Sequence, residues 1–129
     1  MNTKAKGINA ERDLIHKFWS TGTWVALRTA GSGSMRYPSP DILAGNKLRK
    51  IAIECKVTGE DKKYLTKDDI AQLKEFCDNF GAEPWIGVRL DGGSWHFLTL
   101  EDLDETEKGY VISSEIASRK GLLFEELIK

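Results

Sequence analysis

Residues 48–58 read LRKIAIECKVT, and this stretch decides the fold. Two sets of side chains alternate along it, which is the period of two that a β-strand imposes. One set comprises Ile51, Ile53, Cys55 and Val57, and the other comprises Ala52, Glu54, Lys56 and Thr58. The first face predicts contact with a helix. The second is expected to remain exposed and to present a carboxylate and an amine roughly 7 Å apart along the strand.

The segments before this strand alternate between helix and strand patterns. Apolar residues at helical spacing predict a first helix over 7–21, and β-branched and aromatic residues predict a strand over 23–30. A Gly/Ser segment then predicts a flexible loop over about 31–39, followed by a short strand over 41–44 that ends at a Gly-Asn pair.

The segments after it are expected to continue the same alternation. Residues 59–65 are expected to form a polar, basic loop, and Thr66 with Asp69 forms a capping box for a helix ending before Gly81. Strands over 84–90 and 94–100 flank the hairpin signal at 91–93. In the C-terminal tail, about 101–129, we expect a short acidic helix near residue 99, an edge strand over 110–113 and a helical turn over 122–128.

This order predicts an α/β fold with a mixed β-sheet flanked by helices, in a single domain over 1–129. The length of 129 residues and the 40% hydrophobic content suit one core that needs no disulfide. No apolar run approaches the roughly 20 residues of a membrane span, and residues 1–7 are not followed by the apolar stretch that a signal peptide needs, so we expect none. Cys55 and Cys77 lack metal-ligand spacing. We therefore expect a cytoplasmic protein without a membrane partner.

The net charge of −1 conceals a strong asymmetry between the two halves of the chain. Residues 1–63 hold 12 Lys/Arg and 6 Asp/Glu, a net of +6, whereas residues 64–129 hold 7 and 14, a net of −7. The first half could therefore face a polyanion while the second stays in solvent. Because nucleic-acid binders are usually basic overall, this signal alone is weak.

Four charged residues are placed to converge on the predicted sheet. Asp41 begins one strand and Glu54 and Lys56 lie on the next, while Glu11 lies on the first helix. Two carboxylates this close either share a proton or bind a divalent cation, and hard oxygen ligands favour Mg²⁺ or Mn²⁺. Lys56 could then neutralise charge that develops on a phosphate. The alternative is a simple charge pair between Glu54 and Lys56 on a solvated face.

A set of motifs makes the interpretation specific. The set comprises Lys6-Gly7 with Glu11-Arg12, the run RTAGSGS over 28–34, Pro40-Asp41 and Glu54-Cys55-Lys56. Together they resemble an archaeal Holliday junction resolvase, a member of the PD-(D/E)xK nuclease superfamily. The resemblance implies a restriction-endonuclease-like fold. It also implies a homodimeric, Mg²⁺-dependent endonuclease that recognises four-way DNA junctions by shape and nicks two opposed strands symmetrically.

The resemblance also implies roles for individual residues. Glu11, Asp41 and Glu54 would be metal ligands, with the backbone carbonyl of Cys55 as a further ligand, and Lys56 would be the catalytic lysine. Ser32 matches a serine needed for cleavage, with Ser34 as a rival for that role. Arg12 and Arg28 match DNA-binding residues, and the family's subunit contact falls on the helix that carries Phe76 and Phe80.

Further phosphate contacts are predicted from the clustering of basic residues in the first half of the chain, namely at Lys4, Lys6, Arg36, Lys47, Lys62 and Lys63. Two other functions stay open at this point. One is a repair or restriction-type nuclease of the same superfamily. The other is a non-catalytic DNA-binding module in which Glu54 and Lys56 pair only with each other.

Overall fold

Residues 3–29 and 37–129 are described by this computed structural model of the protein, with the side chains of residues 3–5 excepted. The first part contains α1 (Thr3–Ser20), β1 (Val25–Arg28), β2 (Ile42–Gly45) and β3 (Lys50–Thr58). The middle contains β4 (Lys62–Thr66), α2 (Lys67–Phe80), β5 (Glu83–Leu90) and β6 (His96–Leu98). A 3-10 turn (Leu100–Asp102), β7 (Asp104–Glu105), β8 (Gly109–Ser113), α3 (Ser114–Lys120) and α4 (Phe124–Leu127) complete it.

The larger sheet has five strands in the order β1-β2-β3-β5-β6. β3 and β5 are parallel and the other pairs are antiparallel, so the sheet is mixed. Side chains of α1 and α4 pack on one face, and Ile70, Leu73 and Cys77 of α2 belong to a second apolar cluster on the other. The predicted fold class, a mixed sheet flanked by helices, is confirmed.

The central strand β3 differs from expectation in having both faces covered. Ile51 and Ile53 are buried against α1 as predicted, but Ala52 on the opposite face is fully buried too, in the cluster that α2 completes. Glu54 and Lys56 are therefore half-buried, and the prediction of an exposed second face is wrong. The reason is tertiary, because a period of two cannot show that a distant helix will cover the more polar face.

The second sheet, β4-β8-β7, was not anticipated. Residues 59–65 were expected to form a loop, but Lys62–Thr66 is a strand, anchored by the buried Leu65. The segment 110–113, expected at an edge, lies in β8, the middle strand of this sheet. The pairing is close at Gly109, where any side chain would collide with the carbonyl oxygen of Leu65.

The local signals at the ends of α2 and in the β5–β6 hairpin are confirmed. Thr66 Oγ1 accepts the Asp69 N–H at 3.0 Å, and Asp69 Oδ2 accepts the Thr66 N–H at 3.2 Å, which completes the capping box. Gly81 ends the helix at φ +83°, a left-handed conformation that favours glycine. At the hairpin, Asp91 and Gly92 also have positive φ.

Residues 101–129, expected as a tail, contribute to both apolar clusters through the buried Leu103, Ile112, Phe124 and Leu127. The loop expected over 31–39 falls largely on residues 30–36, so Ser32, Ser34 and Arg36 lie outside the described residues. No helix within the described ranges is long and apolar enough to cross a membrane.

Candidate active site

Asp41 lies just before β2 and is fixed against the middle of β3. Its N–H donates to the carbonyl of Ile53 at 3.1 Å, and its own carbonyl accepts the Thr29 N–H at 3.0 Å. Its side-chain Oδ2 accepts the Cys55 N–H at 2.8 Å. The Thr29 hydroxyl also donates to the carbonyl of the buried Pro40. Backbone pairing of three segments therefore holds this carboxylate in place before any ligand arrives.

Glu54 forms an acid pair with Asp41, within hydrogen-bonding distance of it. Burial, then the charge of Asp41 and their hydrogen bond, raise the pKa of Glu54 to about 8. The nearby Lys56 ammonium opposes this shift only in part. Glu54 therefore binds a proton more readily than an ordinary glutamate, and in its protonated form it would donate its hydrogen bond to the Asp41 carboxylate.

Glu11 belongs to the same electrostatic field but has a different partner. It lies on α1, and its Oε1 accepts a hydrogen bond from Arg28 Nε at 2.8 Å. Burial and the charge of Asp41 raise the pKa of Glu11, while Arg28 works in the opposite direction. Arg28, predicted to bind DNA, is thus engaged with a predicted metal ligand rather than directed to solvent.

Lys56 extends from the same face of β3 as Glu54. Its Nζ lies 3.7 Å from Oδ2 of Asp69, in the first turn of α2. The two side chains are about one-fifth and one-third exposed (21% and 34%), so the ammonium remains reachable from solvent. The sequence predicted Lys56 in the site and Asp69 in a helix cap, but the contact between them depends on how α2 packs on β3.

The carboxylates have the oxygen donors that a hard divalent cation prefers. Asp41 and Glu54 already lie together, and burial and the negative charge of Asp41 raise the pKa of Glu54 more than Lys56 lowers it. Glu11 would have to exchange Arg28 for the ion. Among the described residues, no three His, Cys, Asp or Glu side chains are grouped as a ready-made metal site. The Cys55 thiol is buried, which raises its pKa well above the usual value and keeps it protonated.

The remaining predicted residues lie on several elements. Lys6 and Arg12 are exposed on α1, Lys47 follows β2, and Lys62 and Lys63 lie on β4. The side chain of Lys4 lies outside the described part, as Arg36 does. Phe80 is 49% exposed and stacks on Phe76 with ring centroids 5.1 Å apart. The described basic residues thus lie on three different parts of the fold, namely α1, the β2–β3 connection and β4.

Comparison with known proteins gives one consistent result. The family model described as archaeal Holliday junction resolvase (Hjc) matches residues 2–129. A crossover junction endodeoxyribonuclease Hjc from Archaeoglobus fulgidus is 39% identical, with 95% of each chain covered. One from Sulfolobus acidocaldarius is 30% identical, covering all of this chain and 90% of the relative.

A solved structure agrees with the sequence relatives. The Holliday junction resolvase Hjc of Archaeoglobus fulgidus superposes with a TM-score of 0.87 at 36% identity, covering 95% of this chain and all of that one. The resemblance and enzyme class predicted from the motifs are thereby confirmed. The chain belongs to the archaeal Holliday junction resolvase (Hjc) family.

Proposed function

We propose that this protein resolves four-way DNA junctions by hydrolysing phosphodiester bonds, making paired nicks in opposed strands as a Mg²⁺-dependent homodimer. The observation that carries the proposal is the half-buried Asp41–Glu54 acid pair beside the Lys56 ammonium, in a chain whose family match spans residues 2–129. The acid pair would bind a positive ion strongly, and the Lys56 ammonium could lie near a phosphate of the DNA.

The donor chemistry fits Mg²⁺, with Mn²⁺ able to substitute. Asp41 and Glu54 would hold the ion, with Glu11 and the Cys55 carbonyl completing its protein ligands. When bound, a divalent cation makes a water molecule more nucleophilic and stabilises negative charge on the phosphate. The raised pKa of Glu54 implies that binding the ion expels a proton from the acid pair.

The chain's own residues hold and orient the reacting groups. Hydrolysis forms a bond from a water oxygen to phosphorus and breaks the bond from phosphorus to a sugar oxygen, which takes up a proton. The Cys55 N–H holds the Asp41 carboxylate in place, so this carboxylate would not have to reorganise when the transition state of the reaction forms. Lys56 neutralises the charge that accumulates on the phosphate. We also propose that Ser32 takes part in cleavage.

Junction binding is proposed to rest on phosphate contacts from basic side chains. The candidates are Lys4, Lys6, Arg12, Arg28, Arg36, Lys47, Lys62 and Lys63. Because phosphate positions carry no base sequence, these contacts and the spacing of two active sites would read the shape of the branched DNA. Arg28 can bind a phosphate only by weakening its 2.8 Å contact with Glu11.

A second copy of the chain is proposed to cover the aromatic end of α2. Phe76 and Phe80 line a cavity of about 300 Å³ together with Pro38, Glu75 and Asn79. Phe80 is an exposed aromatic here, at 49%. A two-fold dimer supplies the two equivalent sites that paired nicks require.

A cytoplasmic location, where thiols stay reduced, suits the two free cysteines.

The test is cleavage of a synthetic four-way junction with and without Mg²⁺. We expect paired nicks near the branch point that require the ion and that fall to a low residual rate in Lys56→Met. A linear duplex of the same sequence serves as the control. Equal cutting of the linear duplex would support a different nuclease of the superfamily, and no cutting of either substrate would refute the enzyme.

A further inference from the structure

We infer that Asp69 is a positioning residue that holds the Lys56 ammonium at the edge of the acid pair. The inference rests on the proposed function, because it assumes that Lys56 acts in cleavage. Asp69 would then have a second role, in addition to its part in the capping box of α2.

One oxygen of Asp69 faces two partners at once. Oδ2 accepts the Thr66 N–H at 3.2 Å and lies 3.7 Å from Lys56 Nζ. The Asp69 N–H in turn donates to the Thr66 hydroxyl at 3.0 Å. The carboxylate is thus fixed by the helix cap, and the cap is fixed in turn by the buried face of α2. Lys56 therefore meets a rigid acceptor rather than a mobile surface group.

Without such an acceptor the lysine would have several alternatives. A lysine ammonium sits on a flexible four-carbon chain, and its charge would be drawn towards Asp41 and Glu54. Among the described residues, Asp69 is the carboxylate that lies within 4.0 Å of Lys56 Nζ. At 3.7 Å the contact is long for a hydrogen bond, so the ammonium is directed by Asp69 and still available to a phosphate. Correct placement before the reaction is what raises the rate.

Asp68 provides a matched comparison. It occupies the same first turn of α2 and carries the same charge near the same helix terminus. Its side chain instead accepts a hydrogen bond from Gln72 Nε2 at 3.0 Å and is exposed. Removing either charge takes one negative charge from the first turn of α2, but of these two aspartates it is Asp69 that faces Lys56.

The experiment compares Asp69→Asn with Asp68→Asn in the full-length protein. Asparagine keeps an oxygen that can accept the Thr66 N–H but removes the charge that attracts Lys56. Each variant is assayed for junction affinity, for thermal unfolding and for single-turnover cleavage with Mg²⁺ and protein in excess. We expect Asp69→Asn to slow cleavage roughly 10- to 100-fold with junction affinity within about twofold, and Asp68→Asn to cleave as the wild type does.

A double-mutant cycle then separates positioning from a general structural effect. In the Lys56→Gln background, adding Asp69→Asn should cost little further rate, because its partner is already gone. Asp69→Glu, which keeps the charge, should recover part of the rate. Full activity of Asp69→Asn, or a loss that matches its loss of folding or binding, would overturn the inference and leave the resolvase proposal intact. Undiminished cleavage by Lys56→Gln would instead refute the assigned role of Lys56, and the inference with it.

Discussion

Replacing Glu54 with Gln should stabilise the metal-free protein while abolishing its activity. The pKa of Glu54 rises from 4.5 to about 8 on folding, mainly through burial and then through Asp41. At pH 7 the folded state keeps this proton and the unfolded state has lost it. The 2.5-unit interval between 4.5 and 7, at about 1.36 kcal/mol per unit, corresponds to a cost of about 3 kcal/mol to the folded state. Gln removes that cost because it does not ionise, and its amide can still donate to Asp41.

The sign of the pH dependence follows from the raised pKa. The cost is absent below pH 4.5, grows as the unfolded state ionises, and levels off above about pH 8, so the wild type loses stability as pH rises through this window. At pH 5 the Gln variant should gain less than about 1 kcal/mol. Urea unfolding in EDTA at several pH values between 5 and 8 measures both quantities.

Glu83→Gln is the matched control. Hydrogen bonds from Arg49, with distances of 2.8 Å to both nitrogens, lower the pKa of Glu83, so its charge favours the folded state above its ordinary pKa. The same chemical change there should reduce stability at pH 7, modestly because this pair is partly exposed. A Glu54→Gln protein that is no more stable than wild type at pH 7, and that keeps the wild-type slope with pH, would refute the reasoning.

Three further predictions test other parts of the structure. Gly109→Ala should destabilise the protein by about 2 kcal/mol or more in urea unfolding, because a Cβ there meets the Leu65 carbonyl, whereas Gly7→Ala, with open space around it, should not. Lys62→Ala should weaken junction binding and reduce the slope of log affinity against log salt by about 1, and an unchanged slope would remove Lys62 from the DNA interface. Phe80→Glu should convert a dimer to a monomer in light scattering with little change in thermal stability, because Phe80 is half-exposed within one chain; a persistent dimer would place the interface elsewhere.

Local patterns predicted the parts of the fold that local physics controls. The capping box at Thr66 and Asp69, the left-handed Gly81 and the 91–93 hairpin each depend on a few neighbouring residues. The motif residues Asp41 and Glu54 could be paired from strand order alone, and the structure does bring them together.

The errors have a common physical origin in contacts between distant segments. The strand β4 pairs with β8, which lies more than 40 residues later, so its own basic sequence predicts only a loop. The second face of β3 looked solvated because nothing in residues 48–58 shows that α2 will cover it. Likewise, the spacing of residues along the sequence does not predict the contact of Arg28 with Glu11 or that of Lys56 with Asp69.

The helix α2 has a charged contact at one end and a stacked aromatic pair at the other. In the first turn of the helix Asp69 contacts Lys56, and in its last two turns Phe76 stacks on Phe80. A helix of 14 residues is about 20 Å long, which separates the two features. Both ends of α2 are capped, so the chain presents these two features on one continuous helix. In the proposed dimer, a subunit packed on Phe80 would therefore contact the same helix that supplies the partner of Lys56.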